Sequence, residues 1–387
     1  MNATARADSA FGIGSTVAIA VMFALACQSL LALPYEVATL STDYGLGPSV
    51  AGWVGTGEIL ALAITASWIG RVIARCDKRI LTVIGLAIAS AASLASIATA
   101  NVPVLVGSRI VFGIGLGLIA AATSALPAAH PAPERLFAYM QVVAGCLSVA
   151  ILFLTPMVVA QVGRIGLFVC ELGLLVLFAP LASWLPRAEF QGGVAAIGRM
   201  PKGAVRILAA LALMYVAAIA ASAYAVQAGL RAGLTEGGIE TVLTVGAIGS
   251  LGGAALAGAI GKRWGATPPL AVGFVAQAAG IALMYAAGLP AAFIAGALTL
   301  YVASYFTSPY LQGLLAEMDG SGRVPALGGA AINYGSVGGP ALAAVLAERA
   351  DAEQVIGTLT AVICLAALAA VLSVVRSTPA IVPGASS

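Results

Sequence analysis

The chain has 387 residues, of which 61% are hydrophobic and 9% charged, and its mean hydropathy is +1.05. A water-soluble domain carries about 25% charged residues, so the composition excludes one and makes lipid the main solvent. The formal net charge of +3 is too small to mark a nucleic-acid-binding surface.

The polar stretch Met1 to Ala10 precedes an apolar run too long for a cleaved signal, so the first hydrophobic segment reads as a retained helix. Crossing a bilayer core takes about 20 apolar residues. Runs of that kind lie near 12–40, 49–70, 80–99, 103–126, 136–161 and 165–185. Six more follow near 206–229, 239–260, 268–288, 291–316, 325–347 and 353–375. The expected fold is all-α and polytopic, with 12 transmembrane helices in two six-helix bundles.

Between the sixth and seventh runs lies the least apolar interior stretch, with Arg187, Glu189, Arg199, Lys202 and Arg206. It divides an N-terminal bundle, 1–186, from a C-terminal bundle, 206–387, with 187–205 as a cytoplasmic linker. With the N-terminus inside, Arg6, Arg71, Arg75, Lys78, Arg79, Arg135, Arg187, Arg199, Lys202, Arg206, Lys262, Arg263, Arg323 and Arg376 are cytoplasmic. Arg164, Arg231 and Arg349 are left outside, and Arg109 lies within a span. This basic bias predicts an inner-membrane protein with both termini cytoplasmic.

The two halves match at an offset of 188 residues: Gly45-Leu46 with Gly233-Leu234, Gly70 with Gly258, Arg75 with Arg263, and Arg135 with Arg323. Matching arginines in an Arg-poor chain point to parallel structural repeats, a known plan for transporters. Cys27, Cys76, Cys146, Cys170 and Cys364 are scattered singly and read as small apolar fillers. With His130 the only histidine, the sequence offers no metal or cofactor set, and no enzyme nucleophile–base pair. His130, beside Pro131 and Pro133, reads as a solvated loop residue. Gly261-Lys262 lacks the rest of a phosphate loop.

The loop after the second run reads Gly70-Arg71-Val72-Ile73-Ala74-Arg75-Cys76-Asp77-Lys78-Arg79, and its copy reads Gly258-Ala259-Ile260-Gly261-Lys262-Arg263-Trp264-Gly265. These resemble the G-x-x-x-D-R-x-G-R-K signature of the major facilitator superfamily, and the resemblance covers nearly the whole chain. The fourth run, Arg109-Ile110-Val111-Phe112-Gly113-Ile114-Gly115-Leu116-Gly117, resembles a second signature of that family. The resemblance implies an alternating-access transporter for a small solute. It also implies gating loops at Gly70, Arg75, Asp77, Lys78 and Arg79, and at Gly258, Lys262, Arg263 and Gly265. Ala74 and Lys262 stand where the signature has its acid, so the usual charge lock is altered, and Asp77 is a candidate substitute. The fifth run, with Ala144-Gly145-Cys146 and Thr155-Pro156, only faintly echoes the motif of proton-driven drug exporters. Efflux and uptake both stay open.

Charges inside a span are functional suspects. Glu58 and Arg109 both fall about 9–11 Å below the outer face by helical rise, which permits a pair. That pair is either a proton-coupling device, with Arg109 also able to meet an anionic solute, or a structural salt bridge. Gln28 lies at similar depth. Glu171 is buried by count on a helix peripheral in this family, and Glu36 and Glu240 are assigned to the solvated outer mouth. In the second half, Tyr215, Tyr301, Tyr305, Asn333 and Tyr334 join Gln28 as candidate solute contacts, while Tyr224 and Tyr310 read as interfacial anchors. Gly335, Gly338, Gly339 and Pro340, and Pro309, are expected to interrupt the eleventh and tenth helices. The partners expected are a small-molecule substrate, protons and membrane lipid, for a monomer.

Overall fold

The computed structural model describes residues 11–186, 200–286, 288–346 and 352–377. Arg6, Arg187, Glu189, Arg199 and Arg349 lie outside the described residues, as does most of the expected linker. The first half contains α1 (Ile13–Ala26), α2 (Gln28–Thr42), α3 (Pro48–Val72), α4 (Lys78–Ala98), α5 (Val102–Ala125), α6 (Pro133–Val162) and α7 (Gly166–Phe178). The second contains α8 (Ala204–Ala223), α9 (Ala225–Arg231), α10 (Glu236–Ile260), α11 (Thr267–Ala286), α12 (Pro290–Met318), α13 (Arg323–Leu346) and α14 (Ala352–Ser377). There is no strand among the described residues.

Each predicted run coincides with a helix or a helix pair. Ten segments are both long and apolar enough to cross a membrane. One is the 52-residue stretch Pro133–Trp184, which at about 1.5 Å per residue is more than twice the thickness of the hydrocarbon core and makes two passes. The glycine-rich α13 is not among the ten, because Asn333, Tyr334 and its glycines dilute its hydropathy. The helix ends follow local chemistry. Asp77 caps α4 by accepting from the Arg79 and Ile80 amides, Asn101 caps α5, and Thr235 caps α10.

Apolar residues form two large clusters. One runs from Ala18 to Leu185 with Ala316 from the second half, the other from Ala204 to Val374 with Ala138 from the first. Trp53, Trp68, Ile64, Phe153, Leu177 and Val272 are exposed, large apolar side chains that suit helices solvated by lipid.

Two expectations about helix breaks are corrected. Neither α12 nor α13 is interrupted: Pro309 and Pro340 sit inside continuous helices. The α13 glycines instead admit α8. A Cβ on Gly335 would lie 2.5 Å from the Ala212 carbonyl oxygen, and one on Gly339 2.6 Å from Ile219 Cβ. The break falls in the first span, at Cys27 between α1 and α2.

The ends of the helices that carry the Gly70 and Gly258 loops, the basic end, are packed shut. A Cβ on Gly70 would lie 3.6 Å from Ala326, and one on Gly258 3.2 Å from Ala138. Gly322 meets the backbone of Ala125, and Gly313 that of Glu134. Both sets of contacts are related by the 188-residue offset read from the sequence, so the interface repeats itself across the halves.

Candidate functional site

Arg109 stands two turns into α5 and brings together acids from three other helices. Its Nε is 2.7 Å from Glu58 Oε2 on α3 and 3.2 Å from Glu36 Oε1 on α2. Nη1 and Nη2 grip Glu171 on α7 at 2.8 and 3.0 Å, a bidentate pair. The Ser29 hydroxyl donates to the other Glu58 oxygen. The rings of Phe112 and Phe168 lie 4.3 and 5.2 Å from the guanidinium carbon. All four charged side chains are at most 3% exposed.

Small residues make this convergence possible. A Cβ on Gly113 would sit 2.3 Å from the Glu58 carbonyl oxygen, so α3 and α5 touch through backbone at the height of the pair. A Cβ on Gly55 would lie 3.2 Å from Glu36 Oε2, leaving that carboxylate its space. The glycines of the fourth run therefore do structural work that also places charge.

Glu58 and Arg109 meet as their matching depth implied. Glu36 does not lie in a solvated mouth; it is buried on Arg109. Glu171, assigned little by its peripheral helix, makes the bidentate contact. One guanidinium cannot neutralise three ionised carboxyls: the fully ionised cluster carries a net charge of −2, and neutrality requires two protons on the acids. In low dielectric such an imbalance is costly, so this group of side chains is suited to hold and exchange protons.

Gln28 is fully buried, and neither of its amide atoms has a hydrogen-bond partner; its neighbour Ser29 reaches Glu58 instead. In the second half, Tyr215 Oη is 3.2 Å from Ser308 Oγ, a residue not singled out from the sequence. Tyr215 is close enough to Tyr305 and to Cys27 at the α1–α2 break to interact electrostatically. Tyr301 packs its ring against Gly246 of α10. Asn333 is not joined to this group: its Nδ2 donates to the Gly329 carbonyl of its own helix at 2.9 Å. Tyr334 accepts from Ser67 of α3 at 3.2 Å, a contact between the halves. Tyr310, assigned to an interface, is buried and donates to the Ala257 carbonyl at 3.3 Å.

The loops at the basic end have their own electrostatics. Asp77 spends its carboxylate on the α4 cap rather than on a neighbouring helix, while Arg75 and Arg263 are exposed and Lys78 is buried. Gly265 turns the second loop with φ +73°. Lys262, at the position of the family's acid, forms an ion pair with Glu317 of α12. Burial pulls the Lys262 ammonium below the usual lysine range, and Glu134 on α6 of the other half pulls it back up. Lys262→Glu should therefore set a third acid against Glu317 and Glu134 and loosen this end. Thiol labelling of an Ala326→Cys protein from the basic side should rise severalfold, whereas an unchanged rate would show that apolar packing alone closes it. His130 is half-buried edge-on against Phe11 at 5.1 Å rather than solvated, and burial lowers its basicity.

The family model described as Major Facilitator Superfamily matches residues 17–317. Curated protein sequences give no match. Among solved structures, the E. coli fucose:proton symporter FucP in its outward conformation is similar, at 15% identity and TM-score 0.75, covering 94% of this chain and 99% of that one. The proton:xylose symporter XylE is similar at 15% identity and TM-score 0.78, covering 95% of each chain. The human organic anion transporter MFSD10 is similar at 15% identity and TM-score 0.70, covering 92% and 98%. A loop that resembles the family's signature, an all-helical fold of two packed halves and a family match across most of its length converge: this chain belongs to the major facilitator superfamily of membrane transporters.

Proposed function

We propose that this transporter is proton-coupled and moves a small organic solute across the inner membrane by alternating access. Glu58 carries the proton and Arg109 responds to its charge. The observation that supports the reading is the buried excess of acid on Arg109, with Glu36 and Glu171 as further members. The bundles 1–186 and 206–387 rock about the linker, with both termini cytoplasmic. In a single copy of the chain, the closed basic end is the inner gate. Two symporters among the similar structures accord with coupling. Gln28, Tyr215, Tyr301 and Tyr305 are the solute contacts, and Tyr334 belongs to the gate.

The rival is a facilitator without coupling. Proteoliposomes given a panel of labelled sugars, polyols, amino acids and organic acids separate the two. Coupling predicts that a pH gradient changes the steady-state level of one solute and that a protonophore abolishes this change. Accumulation indifferent to the gradient would establish the facilitator.

A further inference from the structure

Arg109 is engaged by carboxylates at all three of its nitrogens. The other Lys and Arg residues among the described ones sit in loops or at helix ends. Among the described residues, the membrane interior therefore offers an anionic solute no free cation. It offers amides instead.

Three polar groups converge on Ser308 of α12. Gln141 of α6 donates to Ser308 Oγ at 2.8 Å, Gln312 donates at 3.1 Å, and Tyr215 of α8 lies at 3.2 Å. With both amides donating, the acceptor capacity of the hydroxyl is filled and its proton is directed to the Tyr215 oxygen. Gln141 and Gln312 are 5% and 0% exposed, and the second amide atom of each has no partner. Exchanging O and N on either amide leaves the same deficit, one unfilled atom apiece. Unmet buried polar atoms cost stability, and two around one hydroxyl call for a ligand with several hydrogen-bonding groups.

The cluster also breaks the symmetry that governs the rest of the interface. At the 188-residue offset Gln141, Ser308, Gln312 and Tyr215 correspond to Gly329, Ala120, Ser124 and Cys27, where a Cβ on Gly329 would sit 2.8 Å from Ser124 Oγ. That side has no amide, and its buried deficit is the single hydroxyl of Ser124 rather than two amide atoms around one hydroxyl. By helical rise, Ser308 and Tyr215 lie about 15–17 Å from the basic ends of their helices, near the middle of a core about 30 Å thick and closer to the basic end than Arg109.

We infer that Gln141, Gln312, Ser308 and Tyr215 form the floor of the solute site, and that its ligand is an uncharged solute bearing several hydroxyl or amide groups. This rests on the transporter reading and names its substrate class.

The test has two arms. Thermal unfolding of Gln141→Leu and Gln312→Leu in lipid nanodiscs without added solute should show midpoints unchanged or raised, because an apolar group replaces a half-satisfied amide. Both variants should lose at least tenfold in solute uptake. A fall of several degrees in both would make the cluster a structural brace and overturn the proposal. In the second arm, wild-type proteoliposomes are offered labelled mannitol, glycerol, malonamide, succinate and tetraethylammonium. Uptake confined to uncharged probes supports the proposal. Uptake of succinate or tetraethylammonium would overturn it and leave the transporter reading standing. Absence of all uptake, with both midpoints lowered, would sink both.

Discussion

Arg109→Met should cost about 3–5 kcal/mol of stability, the usual penalty for stripping the partner from a buried charge. Three carboxyls would remain within one pocket, with Ser29 the only other side-chain donor identified there. The expected result is a large drop in thermal midpoint and little folded protein in the membrane. Adding Glu36→Gln and Glu171→Gln to the same chain should recover much of the loss, since Glu58, bonded to Ser29, is then the one carboxyl left in place of three. A stable single variant would mean that the acids are neutral without Arg109, and that the cluster is not held by charge.

Gly113→Val should be nearly as harmful by a different route. The new Cβ would sit 2.3 Å from the Glu58 carbonyl oxygen, which is backbone and cannot step aside. α3 and α5 must separate, costing about 1–3 kcal/mol or more for overpacking. The separation also draws Glu58 from Arg109, so coupling should suffer beyond the loss of folded protein. By contrast, Gly107→Val, on the same helix where a Cβ would meet nothing within 4 Å, should be tolerated. Comparable thermal midpoints and transport in the two variants would show that helix contact is not what sets the pair.

The fold was legible in the sequence because lipid imposes a crude rule: twelve apolar runs had to become helices, and loop arginines marked the repeat. The offset of 188 residues recurs as matching contacts at Gly70 with Ala326 and at Gly258 with Ala138. Glu58 and Arg109 were legible for the same reason, as charges that hydrocarbon does not tolerate alone. Glu36 and Glu171 were not. Residue counting gives depth along one helix but not the direction a side chain faces, and Glu36 turns inward beside the space left by Gly55. Gln141 and Gln312 carried a signal that was available, amides within apolar runs, yet their meeting at Ser308 depends on how α6 and α12 pack. The reverse error occurred at Pro309 and Pro340, where helix breakers in sequence lie in unbroken helices.

The most direct test of the central claim, that Glu58 carries the transported proton, is solute-driven proton movement into proteoliposomes. It compares wild type with Glu58→Gln, using a labelled solute that the wild type accumulates. The glutamine can turn its carbonyl oxygen to Arg109 and its amide to Ser29, so the variant should fold and exchange labelled solute across the membrane. The account predicts that its proton movement falls at least tenfold while exchange persists. Proton movement equal to wild type in a variant that still exchanges solute would contradict it.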